Sequence, residues 1–185
     1  MKVLETTIPG VLIVEPKVFG DARGFFMEIY QSDRYAGSGI KACFVQDNLS
    51  RSSVGVLRGL HFQNPNPQGK LVTVLRGAVL DVAVDVRVGS PTFGKHVAVE
   101  LSAENRRQFW VPRGFAHGFL VLSEIADLFY KCDQHYAPAD EHTLQWNDPA
   151  LAIKWDCGQP TLSDRDKNAR RLSQLNGVLP PYEPS

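Results

Sequence analysis

The sequence has no excess charge of either sign, because its 185 residues include 20 lysines and arginines and 20 aspartates and glutamates. A chain without net charge produces no overall field that would attract nucleic acid or an anionic membrane. We therefore expect neither as a partner. An anionic ligand would instead need a local pocket of basic side chains.

Long apolar runs and paired cysteines are also missing. The first apolar segment, in "MKVLETTIPGVLIVEPK", is interrupted by proline, glycine and glutamate, so it resembles neither a signal peptide nor a membrane span. The three cysteines, Cys43, Cys132 and Cys157, have neither C-x-x-C nor metal-finger spacing, which is typical of free thiols in a reducing compartment. We expect a cytoplasmic protein.

Helical patterns are rare, whereas period-two alternation of apolar and polar residues is common. It recurs in short segments such as "KLVTVLRG", "AVLDVAVDVRV", "KHVAVEL" and "HGFLVL", separated by glycine, proline, asparagine and serine about every ten residues. This spacing indicates a β-sandwich or barrel rather than βαβ units. We predict one domain over residues 1–185, with an N-terminal arm to about residue 45, a β core to about residue 138 and a C-terminal segment packed on it.

Two helices are predicted. One is a short helix near "QSDRYAG". The other runs from about Ser163 to Leu175, where Ser163 and Asp166 have the spacing of a capping box.

The segment "AVLDVAVDVRV" has one apolar face and one largely polar face. The even-numbered residues are Leu80, Val82, Val84 and Val86, and the odd-numbered ones are Asp81, Ala83, Asp85 and Arg87. Two interpretations are open. The odd face meets water, or it points into the lumen of a closed barrel, where polar residues can hold a small ligand.

A neighbouring strand, "VLRGLHFQ", carries Arg58 and His61, which strict alternation would place on opposite faces. Gly59 lies between them and is a natural site for a β-bulge, which would turn both side chains toward one pocket. A single histidine in a strand is more often structural than catalytic. A second histidine, His117 in "VPRGFAHGFLVL", favours a functional pocket.

Pro112, Gly114 and His117 form a P-x-G-x-x-H pattern that resembles the second motif of cupins, jelly rolls whose lumen often holds a metal. The first motif of a metal cupin would supply H-x-H, but here His61 is followed by Phe62 and Gln63. An amide in place of an imidazole leaves a transition-metal site incomplete. We therefore expect no metal and predict proton transfer by histidine.

Several longer motifs occur in one order: "VFGDARGFFMEIY", "FVQDNLSRS", "GVLRGLHFQ", "LSAENRRQFWVPRGFAHGFLVL", "LFYKCDQHYAP" and "LSDRD". Together they resemble the dTDP-4-dehydrorhamnose 3,5-epimerase family from about Leu4 to Asp166. The resemblance implies an all-β, cupin-type jelly roll (a double-stranded β-helix barrel) with an N-terminal arm and short C-terminal helical segments. It also implies a homodimer that exchanges N-terminal strands, and inversion of C3 and C5 of a dTDP-linked 4-keto-6-deoxyhexose without a cofactor.

The resemblance assigns four catalytic residues. His61 would be the base, and Asp166 would pair with it, although Asp166 could also serve only as part of a helix cap. Tyr130 would be the acid on the opposite face of the sugar. Lys70 would stabilise the enolate oxygen and lower the pKa of the tyrosine phenol.

The resemblance also assigns the substrate-binding residues. Arg23, Arg58 and Arg165 would hold the diphosphate, and Arg165 replaces a lysine that is common in the family. Tyr136 would stack on the thymine. Other polar groups of the ligand would be contacted by Glu28, Gln46, Asn48 and Glu141. Asp81 and His117 would line the lumen and orient His61 or the sugar hydroxyls. Arg23 and Glu28, on the exchanged arm, would then serve the partner's pocket. Each of these residues also has an ordinary structural role as its alternative.

Three other functions remain open at this stage. A related epimerase that inverts only C3 or only C5 would have similar motifs. A non-catalytic sugar-nucleotide-binding cupin would not need His61, Lys70, Tyr130 and Asp166 together. A metal-dependent cupin would need the missing H-x-H.

Overall fold

The computed structural model describes residues 1–183, so Pro184 and Ser185 of the predicted domain lie outside the described residues. The strands are β1 Lys2–Glu5, β2 Leu12–Glu15, β3 Val18–Asp21, β4 Gly24–Met27, β5 Gln46–Ser53, β6 Leu57–Gln63, β7 Lys70–Arg76, β8 Ala78–Asp85, β9 His96–Ser102, β10 Gln108–Val111, β11 Phe115–Val121, β12 Ile125–Cys132 and β13 Glu141–Thr143. The helices are α1 Ser32–Ala36 and α2 Asp164–Lys167, with 3₁₀ turns at Pro138–Asp140 and Leu172–Gln174.

Two antiparallel sheets face each other. One has six strands in the order β1-β2-β10-β7-β12-β5, and the other has five in the order β13-β6-β11-β8-β9. A core cluster that includes Val72 and Leu128 from the first sheet and Val79, Ala83 and Phe119 from the second fills the space between them. The predicted all-β jelly roll is confirmed.

Strand β8 is buried on both faces, which decides between the two interpretations of its odd-numbered residues. Val79 and Ala83 belong to the cluster between the sheets, and Asp81 is fully buried. Val82 and Val84, on the even face, pack against the C-terminal segment. The odd face therefore points into the lumen and not into water.

The C-terminal segment packs on the outer face of the five-stranded sheet, as predicted. Leu144, Leu151, Trp155, Leu172 and Leu175 are buried there in one cluster with residues of β6, β8 and β11. Each such side chain contributes about 1.5–3 kcal/mol by leaving water. This packing fixes the position of α2, and α2 carries Asp166.

The predicted helix from Ser163 to Leu175 is wrong in extent. Helix α2 ends at Lys167, and a separate 3₁₀ turn begins at Leu172. Between them the chain is extended, because the carbonyl of Arg170 accepts a hydrogen bond from the Gln145 amide (2.8 Å) beside a bridge to Leu144. The N-terminal cap is confirmed, since the Ser163 side chain accepts from the Asp166 amide.

The N-terminal arm is only partly separate from the core. Strands β1 and β2 join the six-stranded sheet through β10, and Tyr35 of α1 is buried against the outer face of that sheet. The β3–β4 hairpin stands apart as its own two-stranded sheet. Among the described residues, no helix has the length and apolar character needed to cross a membrane.

Candidate active site

A β-bulge in β6 shapes the site. His61 pairs with His117 of β11 and Arg58 pairs with Phe119, so two residues of β6 lie opposite Gly118 alone. Gly59 has φ +117°, and a Cβ there would lie 2.7 Å from both the Gly118 Cα and the His117 carbonyl oxygen. The predicted bulge is confirmed, and with it Arg58 and His61 line one cavity.

Two adjoining spaces lie beside this bulge. The outer pocket, of about 360 Å³, is lined by Gln46, Asn48, His61, Phe62, Gln63, Gln68, Lys70, Tyr130, Tyr136, Glu141 and Arg165. The inner chamber, of about 140 Å³, is lined by Ser50, Arg58, His61, Lys70, His117, Gly118, Phe119 and Tyr130. His61, Lys70 and Tyr130 line both, so they lie where the two spaces meet.

His61 is held by a carboxylate. Its Nε2 lies 2.6 Å from Oδ1 of Asp166, whose other oxygen accepts a hydrogen bond from the Ser163 hydroxyl at 2.9 Å. Asp166 therefore pairs with His61 and also belongs to the cap of α2, so its two proposed roles coexist. Burial acts to raise the pKa of Asp166, but the bonds from His61 and Ser163 outweigh it, and the pKa lies below its usual value. The group stays ionised at neutral pH.

The other ring nitrogen of His61 is left facing the pocket. Nδ1 lies 3.8 Å from Oε1 of Glu141, beyond hydrogen-bonding distance. Because Nε2 contacts a carboxylate, the neutral ring carries its proton there and keeps a lone pair on Nδ1. This arrangement makes Nδ1 a base that can act on a ligand in the pocket.

Tyr130 lies on β12, opposite Asn48 of β5 and Val72 of β7. Burial raises the pKa of its phenol to about 12, Cys132 adds to this effect, and the Arg58 guanidinium opposes it. The expected lowering of this pKa by Lys70 is wrong, because desolvation dominates and the opposing cation is Arg58. The phenol is fully protonated at neutral pH and can donate a proton.

Lys70 begins β7 and is half-buried. Burial lowers the pKa of its amine, while Cys132, Glu141 and Asp81 oppose that shift. Within residues 1–183 the amine forms neither a hydrogen bond nor an ion pair. It can therefore direct its charge toward an oxygen of a ligand.

His117 and Asp81 form a second buried pair, with 2.7 Å between Nε2 and Oδ1. Asp81 comes from β8 and lies opposite Phe119 of β11. Strand β11 separates β8 from β6, which carries His61. Asp81 therefore orients His117 and does not contact His61 directly, while the alternative that Asp81 and His117 orient the sugar hydroxyls stays a prediction. Asp166 alone among the aspartates bonds to His61 in the described part of the chain.

Comparison with known proteins identifies the family of the chain. A family model described as dTDP-4-dehydrorhamnose 3,5-epimerase matches residues 5–174. The chain belongs to the dTDP-4-dehydrorhamnose 3,5-epimerase family. The dTDP-4-dehydrorhamnose 3,5-epimerase of Salmonella typhimurium is 55% identical over 177 residues, covering 94% of this chain and 97% of the relative. The predicted family and the predicted isomerase class are confirmed.

Solved structures of such epimerases superpose closely on this one. A dTDP-6-deoxy-D-glucose-3,5-epimerase from Legionella pneumophila, in complex with dTDP-4-keto-L-rhamnose, has 53% identity and a TM-score of 0.97 over 99% of each chain. A 3′-monoepimerase from Streptomyces bikiniensis, in complex with dTDP-quinovose, has 38% identity and a TM-score of 0.89, covering 96% of this chain and 92% of its own. The fold therefore occurs in both 3,5-epimerases and a monoepimerase.

Hydrogen bonds and an ion pair join the residues at the mouth of the epimerase pocket. Tyr136 donates its backbone amide to the Gln46 side chain at 2.8 Å and its hydroxyl to Glu141 at 2.5 Å. Arg165 forms an ion pair with the same Glu141 oxygen. Gln46 in turn donates to Asn48 at 3.1 Å. Five predicted binding residues are thus brought together at the opening of the outer pocket.

Four predicted residues do not line the pocket of the epimerase. Asp166 and Asp81 lie behind it, bonded to His61 and His117, whereas Arg23 and Glu28 lie apart from it. Arg23 lies in the turn between β3 and β4 and bonds to Asp21, and Glu28 pairs with Arg34 at 3.1 Å. Neither lines the outer pocket or the inner chamber of its own chain. The sequence-based expectation that they serve the partner's pocket stays a prediction.

Sequence reasoning missed the role of Gln63. Its buried side chain donates to the carbonyl of Asn66 at 2.7 Å and accepts from the amide of Ala137 at 3.0 Å. It thereby joins the loop after β6 to the loop that carries Tyr136. Gln63, whose amide replaces the second histidine of the metal-cupin motif, thus stabilises the mouth of the epimerase pocket. Gln63 follows His61 by two residues and therefore lies on the same face of the strand, and this spacing could have predicted that its side chain is near the pocket.

Proposed function

We propose that the protein inverts C3 and C5 of dTDP-4-dehydro-6-deoxy-D-glucose to give dTDP-4-dehydro-L-rhamnose. Family membership supports the activity, as does the ligand-bound Legionella relative. The observation that carries the proposal is the placement of His61 and Tyr130 around one chamber, with Lys70 beside both. Both carbons are α to the C4 ketone, so a base, an acid and a cation at the ketone oxygen are sufficient chemistry.

The first step is removal of a carbon-bound proton by His61. Nδ1 takes the proton, the electrons of the C–H bond form a C=C bond to C4, and the π electrons of the C4 carbonyl move to its oxygen, which gives an enolate. The Asp166 carboxylate stabilises the resulting imidazolium through Nε2. Lys70 supplies positive charge near the enolate oxygen, where a preorganised cation in a dry site is most effective.

The second step is protonation from the opposite face by Tyr130. The phenol O–H breaks, the new C–H bond forms, and the enolate electrons return to the ketone. His61 has then gained one proton and Tyr130 has lost one, so exchange with solvent restores both before the next inversion. With its pKa raised to about 12, the phenol is a weak acid, and the nearby Arg58 is the charge that favours its ionisation.

The outer pocket is proposed to hold the nucleotide. Tyr136 is half exposed at the mouth and can stack on the thymine, while Gln46, Asn48 and Glu141 present polar groups beside it. Arg165 in this pocket and Arg58 in the adjoining inner chamber suit a diphosphate that lies between the two spaces, because a guanidinium donates paired hydrogen bonds. Arg165 then exchanges its Glu141 partner for phosphate when the substrate binds.

The β3–β4 hairpin supports a homodimer with exchanged N-terminal strands. Phe19, Phe25 and Phe26 on this hairpin are exposed, and a lone two-stranded hairpin is marginally stable in water. A partner subunit would cover these rings and would receive Arg23 and Glu28 in its own pocket. We also propose that the whole chain is one domain and that it acts in the cytoplasm, which agrees with its three free cysteines.

One labelling experiment tests the activity. The purified, EDTA-treated protein is incubated with dTDP-4-keto-6-deoxyglucose in D₂O, and deuterium at C3 and C5 is followed by NMR. Label at both carbons is the expected result. Label at C3 alone would instead identify a monoepimerase like the Streptomyces relative, and label at C5 alone would identify a C5 monoepimerase. No label from either the EDTA-treated or the untreated protein would indicate a binding protein, and label from the untreated protein alone would favour a metal-dependent cupin.

Two variants extend this experiment to the mechanism. His61→Asn is expected to remove exchange at both carbons, because no other group replaces the base. Tyr130→Phe is expected to retain exchange and to lose inversion by about 10²- to 10⁴-fold. If Tyr130→Phe inverted both centres at the normal rate, the acid would have to be another group.

A further inference from the structure

Strand β5 presents a row of polar side chains to the lumen. Strand β5 pairs with β12 at the edge of the six-stranded sheet. Alternation places the side chains of Gln46, Asn48, Ser50 and Ser52 on one face of β5. Three members of the row have partners: Gln46 bonds to Asn48, Asn48 contacts the Cys132 sulfur at 3.6 Å, and Ser52 accepts from Arg58 at 3.0 Å. Ser50 is the exception.

The Ser50 hydroxyl is buried, and within residues 1–183 it has no hydrogen-bond partner. It lies in the wall of the inner chamber, together with His61 and Tyr130. Buried hydroxyls in native proteins are nearly always hydrogen-bonded, because an unsatisfied one loses its interaction with water without compensation. An unpaired hydroxyl in the wall of a ligand chamber therefore points to a partner on the ligand.

We propose that the Ser50 hydroxyl binds a ring hydroxyl of the hexose and thereby helps the enzyme to select its sugar. This inference rests on the proposed function, since the sugar must lie between His61 and Tyr130 and hence in the inner chamber. The neighbouring polar groups already have other tasks: Lys70 faces the ketone oxygen, His117 is held by Asp81, and Arg58 is held by Ser52. A serine both donates and accepts, which matches a neutral sugar hydroxyl better than a phosphate.

The test compares Ser50→Ala with wild type on three ligands and with dTDP. The ligands are dTDP-4-keto-6-deoxyglucose and its analogues without the C2 or the C3 hydroxyl, and the common readout is deuterium exchange at C5. With the parent sugar, kcat/KM is expected to fall roughly 3- to 10-fold, the size of one lost hydrogen bond. With the analogue that lacks the contacted hydroxyl, the two proteins should differ by less than about 2-fold. The Kd for dTDP, which has no sugar, should not change.

The matched control is Ser53→Ala, which removes an exposed hydroxyl from the outer face of the same strand and should leave all these values unchanged. Three results would overturn the proposal: an unchanged kcat/KM for Ser50→Ala with the parent sugar, an equal loss with all three sugars, or a weakened affinity for dTDP. Failure of the wild-type protein to exchange either carbon would overturn the proposed function instead. In that case, equal binding of the sugar nucleotide by wild type and Ser50→Ala would still contradict the role of Ser50.

Discussion

His61 shows how single residues acquire their chemistry in this enzyme. The imidazole lies between two carboxylates, but only Asp166 is within hydrogen-bonding distance, at 2.6 Å from Nε2, while Glu141 is 3.8 Å from Nδ1. The close carboxylate fixes the ring and the proton, and the distant one leaves the second nitrogen free. The distance to the His61 ring is thus about one ångström longer for Glu141, which only borders the pocket, than for Asp166, which orients the ring.

Asp166→Asn is predicted to lower kcat by about 100-fold or more, because the amide cannot stabilise the imidazolium and can hold the ring in the wrong tautomer. Steady-state rates at saturating substrate measure this effect. The control is Asp164→Asn on the same helix, whose side chain is almost fully exposed and should tolerate the change. Similar rates for both variants would show that Asp166 serves only the cap of α2.

At the scale of the element, the bulge in β6 decides which side chains meet. A regular strand would send Arg58 and His61 to opposite faces, and one would point toward the C-terminal segment. Gly59 and Gly118 permit a close approach of two backbones, because a Cβ at Gly118 would lie 2.6 Å from the Arg58 carbonyl oxygen. The two glycines are therefore part of the site although neither has a reactive group.

Gly59→Ala is predicted to destabilise the fold by about 2–4 kcal/mol and to reduce activity in whatever protein remains folded. The reason is both the positive φ and the clash with the backbone at residues 117 and 118. Gly55→Ala separates these causes, since Gly55 also has a positive φ (+75°) but nothing within 4 Å of an added Cβ. Urea denaturation should show a smaller loss for Gly55→Ala, of about 1–2 kcal/mol. Equal losses would mean that the close approach contributes nothing.

In the molecule as a whole, the pocket of one chain brings together only some of the residues predicted to bind the substrate. The pocket contains the proposed base, the proposed acid and the hydrogen-bonded residues of its mouth, but Arg23 and Glu28 remain on or beside the exposed hairpin. A closed two-fold dimer would let each subunit complete the pocket of the other. Activity would then require association.

Complementation between two inactive variants tests this arrangement. Arg23→Ala and His61→Asn are each expected to be nearly inactive as homodimers, whereas co-expressed chains should recover about a quarter of the wild-type activity. In a mixed dimer, one pocket combines an intact His61 with an intact Arg23 from the other chain. Without shared pockets, no mixed dimer could be active, and the mixture would stay at background.

Short-range patterns along the chain were enough to predict the features that depend on neighbouring residues. Alternation indicated the all-β class, Gly59 marked the bulge, and Ser163 marked the start of α2, because side-chain direction, backbone freedom and capping are properties of short segments. The motifs of the sequence also supplied the family resemblance and, through it, the residues of the pocket.

The pairing of distant residues, and the effect of burial on their chemistry, could be read from the folded molecule alone. His61 and Asp166 are 105 positions apart, and nothing local shows that Asp166 meets His61 while Asp81 meets His117. The raised pKa of Tyr130 and the early end of α2 likewise depend on what packs against them. Desolvation and long-range hydrogen bonds come from the packing of both sheets and the C-terminal segment, and no short stretch of sequence contains that information.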